Sequence, residues 1–186
     1  VEEMEMIFVP GTNGTPYVFG TPGLPHEIQV NDFFIGKFVV TQAFYMHVLS
    51  PAANRSPVKG IHHPVQDVSW YDITRTGGFL DFIKRQGVVQ AIADQLPAGK
   101  KFRLRLPSET EWEYAARGGP HWKDGFTHSG GNDVNQVAWY RDNSFDLVRA
   151  VGLKAPNQLG IYDMSGNQWE WCQDLFTRDT NRIPRN

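Results

Sequence analysis

The sequence predicts a mixed domain in which three short helices sit among short strands and long turns, with well under half of the residues helical. Three observations carry this. Helix-starting residues stand at Thr41, Ser69 and Ser108, each ahead of an apolar stripe at helical spacing. Eighteen Gly and 12 Pro break the remaining chain into short pieces. Six Trp supply large anchors to hold such a loop-rich chain together.

In chain order, 4–9 reads as a strand stopped by Pro10-Gly11, and 17–20 as a second one before a Pro/Gly loop through Pro25. Residues 27–30 and 33–40 are strand-like, with Asn31-Asp32 as a tight turn between them and a bend at Gly36-Lys37. Thr41 caps a helix over 41–50 whose apolar stripe is Phe44, Tyr45, Val48 and Leu49. Ser69, with Asp72 three residues on, starts a helix over 69–85. Gly77-Gly78 inside it predicts a kink or a close backbone approach, since each glycine costs roughly 1 kcal/mol against alanine. Residues 88–98 read as a short apolar insert.

Residues 101–106 alternate, with Phe102, Leu104 and Leu106 on one face and Lys101, Arg103 and Arg105 on the other, which predicts a half-buried strand with a solvated basic face. Ser108-Glu109-Thr110-Glu111 is a full capping box for a helix over 108–117, ended by Gly118-Gly119. Residues 119–135 form a long polar loop of the length that compact domains keep for function. Order resumes at Val137-Ala138-Trp139-Tyr140. Past Asp174 the apolar residues thin out, and 177–186 reads as an unfinished end.

At 186 residues the chain fits one domain, 1–186. A net charge of −2 and a pI near 6.3 give no basic field, so no nucleic-acid partner is expected. Cys172 is the only cysteine, which rules out a disulfide or a CxxC zinc knuckle within these residues. No apolar run is long enough for a membrane span and no signal peptide is recognisable. Compartment stays open.

The stretch 157–174 organises the rest. It packs Ile161, Tyr162, Met164, Trp169 and Trp171 around the turn residues Asp163, Ser165, Gly166 and Asn167. Folded back on itself, it aims the side chains of Asp163 and Glu170, and carbonyls between them, at one point. Such oxygens suit a hard cation like calcium. The other account is a buried turn with Trp169 and Trp171 in the core, in which Glu170 bonds backbone N–H groups or an arginine such as Arg117. The residues alone leave both accounts open.

The string Arg-Leu-Pro-Ser-Glu-Thr-Glu-Trp-Glu-Tyr-Ala-Ala-Arg-Gly-Gly over 105–119 resembles the signature of the formylglycine-generating-enzyme family, also called sulfatase-modifying-factor domains. Gly-Ile-Tyr-Asp-Met-Ser-Gly-Asn-Gln-Trp-Glu-Trp over 160–171 resembles its terminal motif. Residues 64–70 and 35–41 match weaker blocks in the right order, so the likeness runs over nearly the whole chain. It implies an α+β, C-type-lectin-like fold with few helices and short antiparallel strands. It implies a structural calcium site on the side chains of Asp163 and Glu170 with the carbonyls of Gly166 and Gln168. The family's second calcium site would fall in 137–146, where the chain is too divergent to carry it over.

Family members continue into a segment with an Arg-Gly-Gly-Ser-Trp block and a closing Gly-Phe-Arg, and the oxidases carry a copper-binding cysteine pair there. The 186 residues stop before it, so the domain is expected to be truncated and copper is expected only if cysteines follow. Cys172 reads instead as a small buried core residue. The resemblance therefore implies a display module without chemistry of its own, binding a protein or small-molecule ligand as the variable proteins of diversity-generating retroelements do. The alternative it implies is an oxidase converting a sulfatase cysteine to formylglycine. A related non-haem iron sulfoxide synthase comes last, because the six His show no facial-triad spacing.

Overall fold

A computed structural model describes residues 4–20, 26–94 and 102–175. Strands β1 (Met6–Val9), β2 (Tyr17–Phe19), β3 (His26–Ile28) and β4 (Phe33–Gly36) are followed by helices α1 (Gln42–Val48), α2 (Trp70–Thr74), α3 (Phe79–Arg85), α4 (Val88–Ala93) and α5 (Glu109–Ala116). Two single-turn helices, α6 (Val134–Val137) and α7 (Arg141–Ser144), come last. The strands make two antiparallel pairs, β1 with β4 and β2 with β3. The architecture is α+β.

All three expected helix starts are present. The Thr41 and Ser108 hydroxyls accept from the N–H of Phe44 and Glu111, and Ser69 and Ser108 both close reciprocal capping boxes. The helix expected over 69–85 is split into α2 and α3. A Cβ on Gly78 would lie 2.6 Å from the Asp72 carbonyl oxygen, so the close approach read from Gly77-Gly78 is real. The insert at 88–98 forms α4 through Ala93, while 95–98, the loop at 21–25 and the end at 177–186 lie outside the described residues.

Three expectations need correction. Residues 102–108 carry no ladder: β1–β4 and β2–β3 are closed pairs, and an alternating segment without a hydrogen-bonding neighbour is not a strand. Leu104 still faces inward, but Arg105 turns in as well, to meet Glu111. Asn31-Asp32 joins strands of different pairs, and Asp32 Oδ1 accepts the Gly11 N–H at 2.8 Å. The fourth strand ends at Gly36 instead of reaching residue 40.

Two apolar clusters form. One gathers Val9, Tyr17, Tyr114, Ala115, Ile161 and Met164, and joins β1 and β2 to α5 and the 160–164 stretch. The other gathers Tyr45, Val48, Phe79 and Ile83 between α1 and α3. Between them lies an apolar cavity.

Candidate functional site at the 157–174 loop

The loop is held at both ends by residues that its own sequence supplies. Asn157 is buried and fully engaged. Its amide donates to the Ala115 carbonyl at 2.8 Å and to Ser129 Oγ at 3.2 Å, and its Oδ1 accepts from the N–H groups of Leu159 and Ile161. Asn167 grips Arg149 with both atoms of its amide, through the Arg149 N–H at 2.9 Å and the Arg149 carbonyl at 3.1 Å. At the far end the Gln173 N–H donates to the Pro107 carbonyl, and Asp174 Oδ2 accepts from the Glu109 N–H at the start of α5.

Between these ties the backbone is bent hard. Asp163 and Asn167 have φ of 59°, in the left-handed region, where a non-glycine residue costs of order 1–3 kcal/mol. Gly166 has φ of 86°, and a Cβ there would stand 2.0 Å from the Trp139 carbonyl oxygen, so no other residue fits.

The four expected calcium residues all lie on this bend. Asp163 is buried. Its Oδ2 accepts the Gly152 N–H at 2.8 Å, while its Oδ1 is buried with no donor among the described residues. Burial pushes its carboxyl above the usual carboxylate range, against the pull of the Gly152 bond. Glu170 Oε2 accepts from the Trp112 indole N–H at 3.0 Å. Burial drives the Glu170 carboxyl up to about 7, the Trp112 bond opposes the rise, and the Asp163 charge adds to it. The Gly166 carbonyl accepts the Gln168 N–H at 2.8 Å. Arg117 does not serve Glu170, since its Nε–H goes to Glu113 at 2.9 Å, one helical turn away.

This donor set fits a hard cation. An oxygen buried without a donor and a second carboxyl raised in part by the first are both relieved by a divalent ion. The residues that would hold one are Asp163 and Glu170 through side chains, and Gly166 and Gln168 through carbonyls. Its contribution would be structural, fixing the bend.

The two indoles of the motif are not core. Trp169 is 96% exposed and Trp171 51%, with Trp171 Nε1 donating to the Val68 carbonyl. The chain after them is tied beside 107–109 by the Gln173 and Asp174 bonds, which leaves these rings at the edge. They stand at the rim of the apolar cavity, of about 280 Å³, whose walls include Phe33, Ile35, Phe79, Leu104 and Met164. Cys172 is half-buried instead of core, and its carbonyl accepts the Trp70 indole N–H. Its thiol is pushed up to about 12 by burial and then by Glu109, Glu170, Asp174 and Glu111. Sequence reasoning missed Trp112 and Gly152 as partners of the two carboxylates, because nothing in a sequence marks contacts 58 and 11 residues away.

A family model described as the sulfatase-modifying factor enzyme 1-like domain matches residues 2–185. The chain belongs to this family. The chaperone protein LppX of Paenibacillus barcinonensis is 31% identical, over 78% of this chain and 63% of its own length. The formylglycine-generating enzyme of Thermomonospora curvata is 33% identical, over 63% of this chain and 35% of its own. The chain thus spans between about a third and two thirds of these relatives. Treponema denticola variable protein 1 superimposes with a TM-score of 0.63 at 28% identity, over 94% of this chain and 75% of its own. The fold is C-type-lectin-like, as in these relatives. No helix among the described residues is long and apolar enough to cross a membrane.

Proposed function

We propose that this domain is a binding module that seats an apolar group of its ligand, a protein side chain or a small molecule, in the 280 Å³ cavity beneath Trp169. The observation that carries the reading is Trp169 itself. Leaving a large indole in water has no folding benefit, and at the mouth of an apolar cavity it offers a ligand both area and a ring face. The similarity to a variable protein supports the same reading. Calcium in the loop of Asp163, Gly166, Gln168 and Glu170 belongs to this proposal as the element that fixes the base of Trp169.

Panning a displayed peptide library tests it. The wild-type domain should enrich peptides with an apolar anchor, and Trp169→Ala and the cavity-filling Leu104→Trp should both lose them. Enrichment indifferent to both changes would sink the reading.

The oxidase alternative is favoured by relatives named formylglycine-generating enzymes. Within these residues the one thiol, Cys172, is held protonated by burial first and by the acidic groups around it second, where copper(I) requires thiolate, so this alternative rests on a cysteine pair beyond residue 186. Incubation with copper, oxygen and a Cys-x-Pro-x-Arg peptide should give no aldehyde by mass spectrometry. Turnover above background would reverse the order of the two readings.

A further inference from the structure

A second cavity, of about 190 Å³, opens on the other side of α5, between that helix and the loop at 125–131. It shares Met164 with the apolar cavity but is otherwise built from different residues. Three aromatic side chains line it: Trp112 from α5, Trp122 from the 3-10 turn of Gly119–Asp124, and Phe126 from the loop. Between them are the flat polar groups of Glu113, Arg117 and Gln158.

The charges of this cavity cancel. Arg117 Nε–H donates to Glu113 Oε1 at 2.9 Å, and the same oxygen accepts the Tyr17 hydroxyl at 2.6 Å. A single guanidinium already spent on a carboxylate is a poor anion site, and a cation would meet it head-on. Hydrogen-bonding capacity remains. Gln158 Oε1 is buried with no donor among the described residues, while Gln158 Nε2 donates to Asp124 Oδ2 at 3.2 Å. The volume is below the ~300–1,000 Å³ of sites for drug-sized ligands, which leaves room for one ring.

The loop that closes the cavity is fixed in place. The Ser129 N–H donates to Ser165 Oγ, the Thr127 N–H donates to Asn132 Oδ1, and His128 and Gly131 exchange backbone bonds. At Gly130 (φ 92°) a Cβ would lie 2.7 Å from the Pro156 carbonyl oxygen. A preformed cavity of this kind loses little entropy on binding.

We propose that this cavity binds a single pyranose ring, free or at the end of a glycan, with a C–H face against the Trp122 or Phe126 ring and adjacent hydroxyls on Glu113, Arg117 and Gln158. The ligand must be neutral, ring-sized, apolar on one face and dense in hydroxyls at its edge. A pyranose meets all four requirements. The site is separate from the Trp169 cavity and does not rest on the binding reading given for it.

Saturation-transfer NMR tests the proposal with glucose, galactose, mannose and N-acetylglucosamine, each also as its methyl glycoside. Irradiating the aromatic envelope should transfer saturation to C–H protons of at least one pyranose. A methyl glycoside that binds as well as the free sugar points to a glycan end, and preference for the free sugar points to a metabolite. Phe126→Ala, at an exposed position, should keep the melting midpoint and weaken binding roughly two- to tenfold, the worth of one aromatic face. Gln158→Ala should weaken it independently. Trp169→Ala should leave it unchanged. No transfer to any of the probes overturns the proposal, and so does transfer that survives Phe126→Ala but is lost in Trp169→Ala, which would place the sugar in the other cavity.

Discussion

Glu111 and Glu170 each sit in one of the two long motifs, the first buried and the second half-buried, and they end in opposite states. Burial pushes the Glu111 carboxyl up, but the Arg105 guanidinium bonds both its oxygens at 2.7 Å and the Ser108 N–H adds a third bond, so its pKa lies below the usual value. Glu170 has one indole N–H, a neighbouring carboxylate and no cation among the described residues, and lies near 7. One glutamate is paired with a cation within the fold, and the other has an indole N–H alone among the described residues. A carboxyl raised in this way is where the proposed calcium would act.

The contrast breaks most visibly at Arg105. Arg105→Met strands the Glu111 carboxylate without its partner, and removing one half of a buried pair costs about 3–5 kcal/mol. Arg105 keeps about a third of its side chain in water, so the lower end of that range is expected. Urea unfolding at neutral pH measures it. A loss under 1 kcal/mol would mean Glu111 finds other donors and the two glutamates are not so different.

At Glu170 the comparison is sharpened by calcium. Melting in excess chelator should lower the midpoint relative to added calcium, since an ion bound only by the folded chain stabilises it by mass action. Glu170→Gln should abolish that sensitivity, and equal midpoints in the two conditions would leave the loop a metal-free turn. A pH series in chelator reads the same group. The folded pKa, about 7, lies above the ordinary glutamate value of 4.5, so the folded form holds its proton after the unfolded chain has lost it. The contribution of Glu170 to stability is therefore largest below pH 4.5, falls between 4.5 and 7 by at most about 3 kcal/mol, and is flat above. Calcium should flatten that slope, and Glu170→Gln should remove it.

How much of this was legible in the sequence depends on the distance over which each decision is made. The caps at Thr41, Ser69 and Ser108 are settled within four residues and are present as read. The bend at Gly166 was legible as a turn, while the reason only glycine fits, the Trp139 carbonyl, was not. Arg105 was placed on a solvated face because alternation assumes a strand, and a strand requires a neighbour that a local pattern cannot supply. The capping box accounted for Glu111 so fully that its second oxygen, and with it Arg105, went unread. The account of the loop as a buried turn puts Trp169 in the core because large aromatic residues are usually buried, and its 96% exposure removes that part of the account.

The smallest expected effect on stability is at Trp169, and it decides how the loop is understood. Trp112 and Trp169 are both indoles touching the Glu170 region. Trp112→Phe keeps a smaller aromatic ring but removes the N–H on Glu170, leaving a half-buried carboxyl without that donor, at a cost of about 1–3 kcal/mol. Trp169→Ala removes a larger group, yet that group is 96% in water, so the folded chain loses almost no buried area and the change should stay within about 0.5 kcal/mol. Volume alone predicts the reverse order. If Trp169→Ala cost 2 kcal/mol or more in calcium, the ring would be covered in solution by another part of the protein, and a free ligand-facing surface would be untenable. If it costs nothing while peptide binding is lost, Trp169 is a residue whose use lies outside its own fold.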